Sequence, residues 1–186
     1  MKIIRACLTI CVCVAIFYWL PLCSTETAAS IGAANGVMLG SWNTQVEFDN
    51  VKIVSGTNVI LNGSFADWQR EGGDWQIVGG VCRQTSTATP ALLTHAFENA
   101  ATNYTVSVHA KKTSGAEGFL VGFGAQDSEN YYWLNLGGWN NTVATVEKSV
   151  AGERQPIGRK VDVKIEIGRW YEIKIDVAGP HYPMLS

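Results

Sequence analysis

The stretch VDVKIEIGRWYEIKIDV, residues 161 to 177, places apolar side chains at every second position on both sides of a Gly168-Arg169 break. Val161, Val163, Ile165 and Ile167 alternate with Asp162, Lys164 and Glu166, and Tyr171, Ile173, Ile175 and Val177 alternate with Glu172, Lys174 and Asp176. Successive side chains of a strand point to opposite faces, so this repeat describes two strands that each bury one face and wet the other. The same period runs from Tyr104 to Ala110. Further strands are expected over 45–54, 58–61, 75–84, 118–123, 131–136 and 142–150. Turn chemistry separates them at Ser55-Gly56, Glu71-Gly72-Gly73, Gly79-Gly80, Ser114-Gly115, Asp127 to Asn130 and Ala151-Gly152. No segment beyond Ser30 has helical spacing of useful length. Short strands with frequent turns around one core predict an all-β, antiparallel jelly-roll sandwich.

The 186-residue chain opens differently. Lys2 and Arg5 precede an apolar run from Ala6 to about Leu22, and small or polar residues follow from Ser24 to Ser30. A positive start, an apolar middle and a small-residue exit predict a secretory signal peptide over 1–24, cleaved within 24–30, rather than a stable membrane anchor. The sandwich is then expected over 31–179, with an aberrant tail at 180–186. Cys7, Cys11, Cys13 and Cys23 belong to the leader, which leaves Cys82 as the single thiol of the mature domain. One thiol cannot form an internal disulfide, so the domain depends on its core. A chain of about 160 residues buries roughly 70% of its unfolded surface, enough for one such core.

The formal net charge of −2 and the lack of any basic stripe exclude nucleic acid as an expected partner. Asn62, Asn103 and Asn140 each begin an N-x-Ser/Thr sequon, which fits an extracellular, glycosylated product. No metal-ligand spacing, nucleophile elbow or dinucleotide fingerprint occurs, and His95, His109 and His181 are isolated. Glycoside hydrolysis would need two carboxyl groups flanking a bond, and Glu117 and Glu147 form the one candidate pair. No cofactor is expected, and a structural calcium is left open.

Binding is better served than catalysis. A sugar offers hydroxyls at its rim and C–H patches on its faces, so a site for one combines aromatic planes with amides or carboxylates. Residues 130–142, NYYWLNLGGWNNT, supply both. On a strand, Tyr132, Leu134 and Leu136 share one face and Tyr131, Trp133 and Asn135 the other. The leucine face is the expected core side. Gly137-Gly138 then turns the chain and brings Trp139 to the rim beside Asn140 and Asn141. Trp42, Trp68, Trp75 and Trp170 read as core tryptophans.

Several longer motifs resemble one module. They are Gly40 to Phe48, Gly73 to Val81, Lys112 with Ala116 to Leu120, Tyr131 to Trp139, and Gly168 to Tyr171. Together they resemble the concanavalin-like jelly roll that accompanies secreted alpha-L-arabinofuranosidases of glycoside hydrolase family 51, and they are similar to carbohydrate-binding module family 66. The resemblance implies a non-catalytic module of a larger enzyme whose catalytic (β/α)8 barrel, about 250 residues long, would lie elsewhere. It implies a polysaccharide partner of the arabinan, arabinoxylan or fructan class. With the residues above, it makes Lys112, Glu117, Trp133, Asn135, Trp139 and Asn141 the expected ligand set. In that module another strand follows Trp170-Tyr171. Pro180 to Ser186 replace it here, so the sandwich is expected to lack its last strand and to leave the preceding edge open. A laminin-G-like protein-interaction domain is the remaining alternative.

Overall fold

The computed structural model describes residues 2–6, 35–87, 89–97 and 103–178. Its strands, in chain order, are β1 (Lys2–Ala6), β2 (Asn35–Ser41), β3 (Thr44–Ser55), β4 (Asn58–Asn62), β5 (Gln69–Glu71), β6 (Trp75–Val78), β7 (Val81–Gln84) and β8 (Ala91–Phe97). They continue with β9 (Asn103–Gly115), β10 (Phe119–Phe123), β11 (Tyr131–Gly137), β12 (Val143–Val150), β13 (Glu153–Pro156), β14 (Val161–Asp162) and β15 (Trp170–Ala178). One sheet runs β1-β15-β9-β3-β7-β6, with β4 also paired to β3. The other runs β13-β12-β11-β10-β2-β8-β5, with β14 also paired to β12. The two form an all-β, antiparallel sandwich of the jelly-roll kind, as expected from the period-two patterning.

The core lies between the sheets and is built from alternate residues of each long strand. Val106, Val108 and Ala110 of β9 are fully buried, as are Val46, Phe48 and Ile53 of β3 and Ile173 of β15. From the opposite sheet come Val37, Leu39, Phe119, Val121, Leu134 and Leu136. Each large aliphatic or aromatic side chain so placed contributes about 1.5–3 kcal/mol relative to exposure. A buried amide stitches the sheets together at one end. Gln84 of β7 donates from Nε2 to Ser41 Oγ of β2 at 2.9 Å and to the Thr44 carbonyl at 3.3 Å.

The strand expected over 75–84 is a hairpin, β6 and β7, because Gly79 and Gly80 take positive φ and turn the chain. β1, which falls within the expected leader, and β2, β5, β8 and β13 are absent from the expected set. The first half of the 161–177 repeat departs more deeply. Only Val161–Asp162 pairs as a strand, Val161 and Ile167 are 56% and 64% exposed, and Ile165 alone is fully buried. The backbone of Ile165 is held by the Asn141 side chain instead of a neighbouring strand. The second half behaves as its pattern requires: in β15, Tyr171, Ile173 and Ile175 point inward.

The edge of β15 expected to be open is paired. β1 lies parallel to it, in register from Lys2 opposite Tyr171 to Ala6 opposite Ile175. The rest of the expected leader, its cleavage region and the tail at 180–186 lie outside the described residues. Among the described residues, no helix is long and apolar enough to cross a membrane.

Candidate functional site

The outer face of the second sheet carries its own apolar cluster. Alternation turns Leu134 and Leu136 of β11 into the core and sends Tyr131 and Trp133 outward, where they meet Met38, Leu92, Leu120 and Ala125. The Tyr131 and Trp133 rings lie 4.8 Å apart, tilted by 45°. Trp133 is only 2% exposed even though it faces away from the core. Its cover is Arg154 of β13, whose guanidinium stands 4.4 Å from the Trp42 ring centre and 5.3 Å from that of Trp133. A cavity of about 440 Å³ opens beside this stack. Its walls include Trp42, Trp133, Trp139 and Arg154, with Glu117, Asn135 and Glu147 among the polar groups.

Strand register explains the polar grouping. Trp133 lies directly opposite Glu147 on β12, and Asn135 is two positions further along the same face. One carboxylate oxygen, Glu147 Oε2, accepts from Trp133 Nε1 at 2.6 Å and from Asn135 Nδ2 at 3.1 Å. Glu147 thereby fixes the indole and the amide that floor one side of the cavity.

A second carboxylate holds the rim. After β11 the chain makes a left-handed turn: φ is 76° at Gly137, 52° at Trp139, 58° at Asn140 and 61° at Asn141. Residues with a side chain pay about 1–2 kcal/mol each for that conformation, so the turn needs partners. The Thr142 N–H donates to the Gly138 carbonyl at 3.0 Å, and Thr142 Oγ1 donates to the Trp139 carbonyl at 2.7 Å. Asn141 Nδ2 donates to the Ile165 carbonyl and Asn141 Oδ1 accepts the Ile165 N–H, both at 2.8 Å. The backbone N–H groups of Asn140 and Trp139 face the Glu117 carboxylate and favour its charged form. Burial raises its pKa above 4.5 and the Glu147 charge adds to the rise, whereas the two N–H groups and Lys112 oppose it. The turn presents Trp139 with 41% of its surface exposed, and Lys160 Nζ lies 4.6 Å from its ring centre.

Of the expected ligand set, Glu117, Trp133, Asn135 and Trp139 come together at the cavity. Asn141 serves the turn. Lys112 is buried at the end of β9, where burial lowers its pKa and Glu117 partly restores it. The sequon residues Asn62, Asn103 and Asn140 are all exposed. Trp68 and Trp75 are core residues, as expected, and Trp170 is half-buried under Lys111. Trp42, expected in the core, is a cavity wall instead. Arg154 was not foreseen, since nothing in an exposed four-residue strand signals that it folds back over two indoles. The Ala151-Gly152 turn before it was the nearest signal.

Among the described residues, no group of three or more His, Cys, Asp or Glu side chains could hold a metal ion. No protein-family model matches the chain, and no solved structure matches it significantly. A curated protein does: the extracellular exo-alpha-L-arabinofuranosidase of Streptomyces chartreusis is 37% identical over 166 residues, 86% of this chain. The chain is homologous to part of a secreted arabinofuranosidase-family protein. It spans 20% of that relative's length.

Proposed function

We propose that this domain is a non-catalytic carbohydrate-binding module, acting outside the cell beside the catalytic part of an arabinofuranosidase-type protein. Arabinose-containing plant polysaccharides, or a fructan, are its ligand class. The observation that carries this reading is the half-exposed indole of Trp139, held by a left-handed turn over a cavity lined with carboxylate, amide and guanidinium groups. An exposed aromatic plane covers the C–H face of a sugar ring, and the polar groups beside it meet the hydroxyls. The 37% identity to part of an extracellular arabinofuranosidase supports the class of partner and the compartment. Affinity electrophoresis of the purified chain in gels containing arabinan, arabinoxylan or inulin tests it. The reading expects retardation by at least one polymer, reduced in Trp139→Ala. Migration unchanged by all three polymers would refute it.

A glycosidase reading draws on one observation, the presence of Glu117 and Glu147 at the same cavity. Against it, both carboxylates are already committed, Glu147 to Trp133 and Asn135 and Glu117 to the turn. Release of arabinose from aryl-arabinofuranosides by the purified chain, abolished in Glu147→Gln, would favour this reading over the first.

A further inference from the structure

A second cavity, of about 450 Å³, opens on the same outer face of the same sheet. Its floor is small and apolar: Gly36 of β2 lies opposite Ala96 of β8, with Ala125 against them. Its walls are hydrogen-bonding groups of mixed character, among them Gln69, Thr94 and Gln126. The charged side chains on this face are Glu71 and Asp127, whereas Arg70 stands opposite core-facing Leu93, on the other side of β5 near Cys82.

Register shows how the two cavities relate. Leu120 and Asn135 at the first cavity face each other across β10 and β11, and Leu120 also faces Gly40 on β2. The second cavity lies further along β2, at Gly36, and one strand beyond, at Ala96. From β11 to β8 is three strand spacings, about 14 Å, and from Gly40 to Gly36 is about 13 Å along the strand. The two cavities share one face of one sheet. Gly122 and Met38 lie on that diagonal, with Tyr131 to one side of it on β11, and Met38 and Tyr131 belong to the one apolar cluster that also holds Leu120 and Ala125. Tyr131 feels Arg154 and Glu147 from the first cavity and Glu71 from the second. Gly122 keeps this floor low, since a Cβ there would come within 2.7 Å of the Met38 side chain.

We propose that the two cavities are subsites of one groove, which binds an internal run of several linked sugar units rather than a chain end. The ligand is a neutral glycan: small apolar residues meet ring C–H faces, and amides, hydroxyls and carboxylates meet the hydroxyl rim. This rests on the carbohydrate-binding reading above and specifies it, because a site confined to the first cavity would be satisfied by a terminal unit.

The test is titration calorimetry of the full chain with reduced-end arabino-, xylo- and fructo-oligosaccharides of two and of six units. For whichever series binds, the hexamer is expected to bind at least tenfold tighter than the dimer. Ala96→Trp, which fills the second cavity from an exposed position, and Gln69→Ala, which removes an amide from its wall, are both expected to bring the two dissociation constants together. Equal affinity for dimer and hexamer in the unmodified chain would overturn the groove and leave sugar binding intact, as would full length dependence in both variants. Absence of binding in every series would overturn the groove and the underlying reading together.

Discussion

Trp139, Asn140 and Asn141 hold positive φ in succession, and each would relax if its partners were withdrawn. The Glu117 carboxylate lies against this turn, facing the Asn140 and Trp139 N–H groups and lining the same cavity as the Trp139 indole. Replacing it with alanine withdraws the carboxylate that both N–H groups face and is expected to cost about 1 kcal/mol. Sugar retention should fall with it while the circular dichroism of the sheets is kept. Glu117→Gln separates charge from shape. Burial raises the Glu117 pKa above its ordinary 4.5, so the folded state binds that proton more tightly than the unfolded chain does. The resulting stabilisation is full below the unfolded value and is lost as pH rises through the raised one. Thermal midpoints measured across that window should decline in the unmodified chain more steeply than in Glu117→Gln. Identical pH profiles would show that Glu117 does not titrate in this way. Trp139 itself is exposed, so Trp139→Ala should leave stability within about 0.5 kcal/mol. Its effect belongs to binding: a lost aromatic face is worth about 0.5–1.5 kcal/mol, up to roughly tenfold in affinity.

At the scale of elements, the β10–β11 pair positions the whole site, and Gly118 shows how closely it is drawn. A Cβ on Gly118 would stand 1.9 Å from the Leu136 carbonyl oxygen, a contact that only backbone movement can relieve. Gly118→Ala is therefore expected to cost roughly 2–4 kcal/mol in urea unfolding. Gly152 offers the contrast. It has φ +79° with open space around it, so alanine there should cost only about 1–2 kcal/mol from its left-handed backbone. Reversal of that order would contradict the account of the hairpin. These elements also mark what could be read from the residues. Alternation in Tyr104–Ala110, Tyr131–Leu136 and Tyr171–Val177 reported real strands, because each pairs on a face that the core must cover. The same alternation misled at Val161–Ile167, where a side-chain amide from Asn141 satisfies the backbone and no sheet demands the period. β2 and β8 escaped notice because they pack on both faces. Leu39 and Leu93 join the core while Met38 and Leu92 join the outer cluster, which erases the polar half of the pattern.

For the whole molecule, two apolar layers stand on one sheet: the core beneath it and the smaller cluster above it that floors the cavities. That second layer explains why the site was only partly legible. Trp133 and Asn135 announced an outward face, but the groups that close the cavity, Trp42 and Arg154, come from distant parts of the chain and meet only in the fold. The main core makes its own prediction through Cys82. The thiol is 1% exposed and burial pushes its pKa up to about 11, so little reactive thiolate exists at neutral pH. Alkylation at Cys82, followed by peptide mass mapping, should be negligible in native buffer and complete in denaturant. Rapid native labelling would mean that the β3–β7–β6 edge opens independently of the rest.

The central claim is that the indole of Trp139 and the cavity beside it receive a sugar. The most direct measurement is the set of indole N–H resonances of the labelled chain during titration with an arabino-oligosaccharide. Trp139 and Trp42 should shift, and Trp133 should respond through its bond to Glu147, while Trp68 and Trp75 in the core stay fixed. Saturable binding that leaves the Trp139, Trp42 and Trp133 signals unmoved would contradict the account.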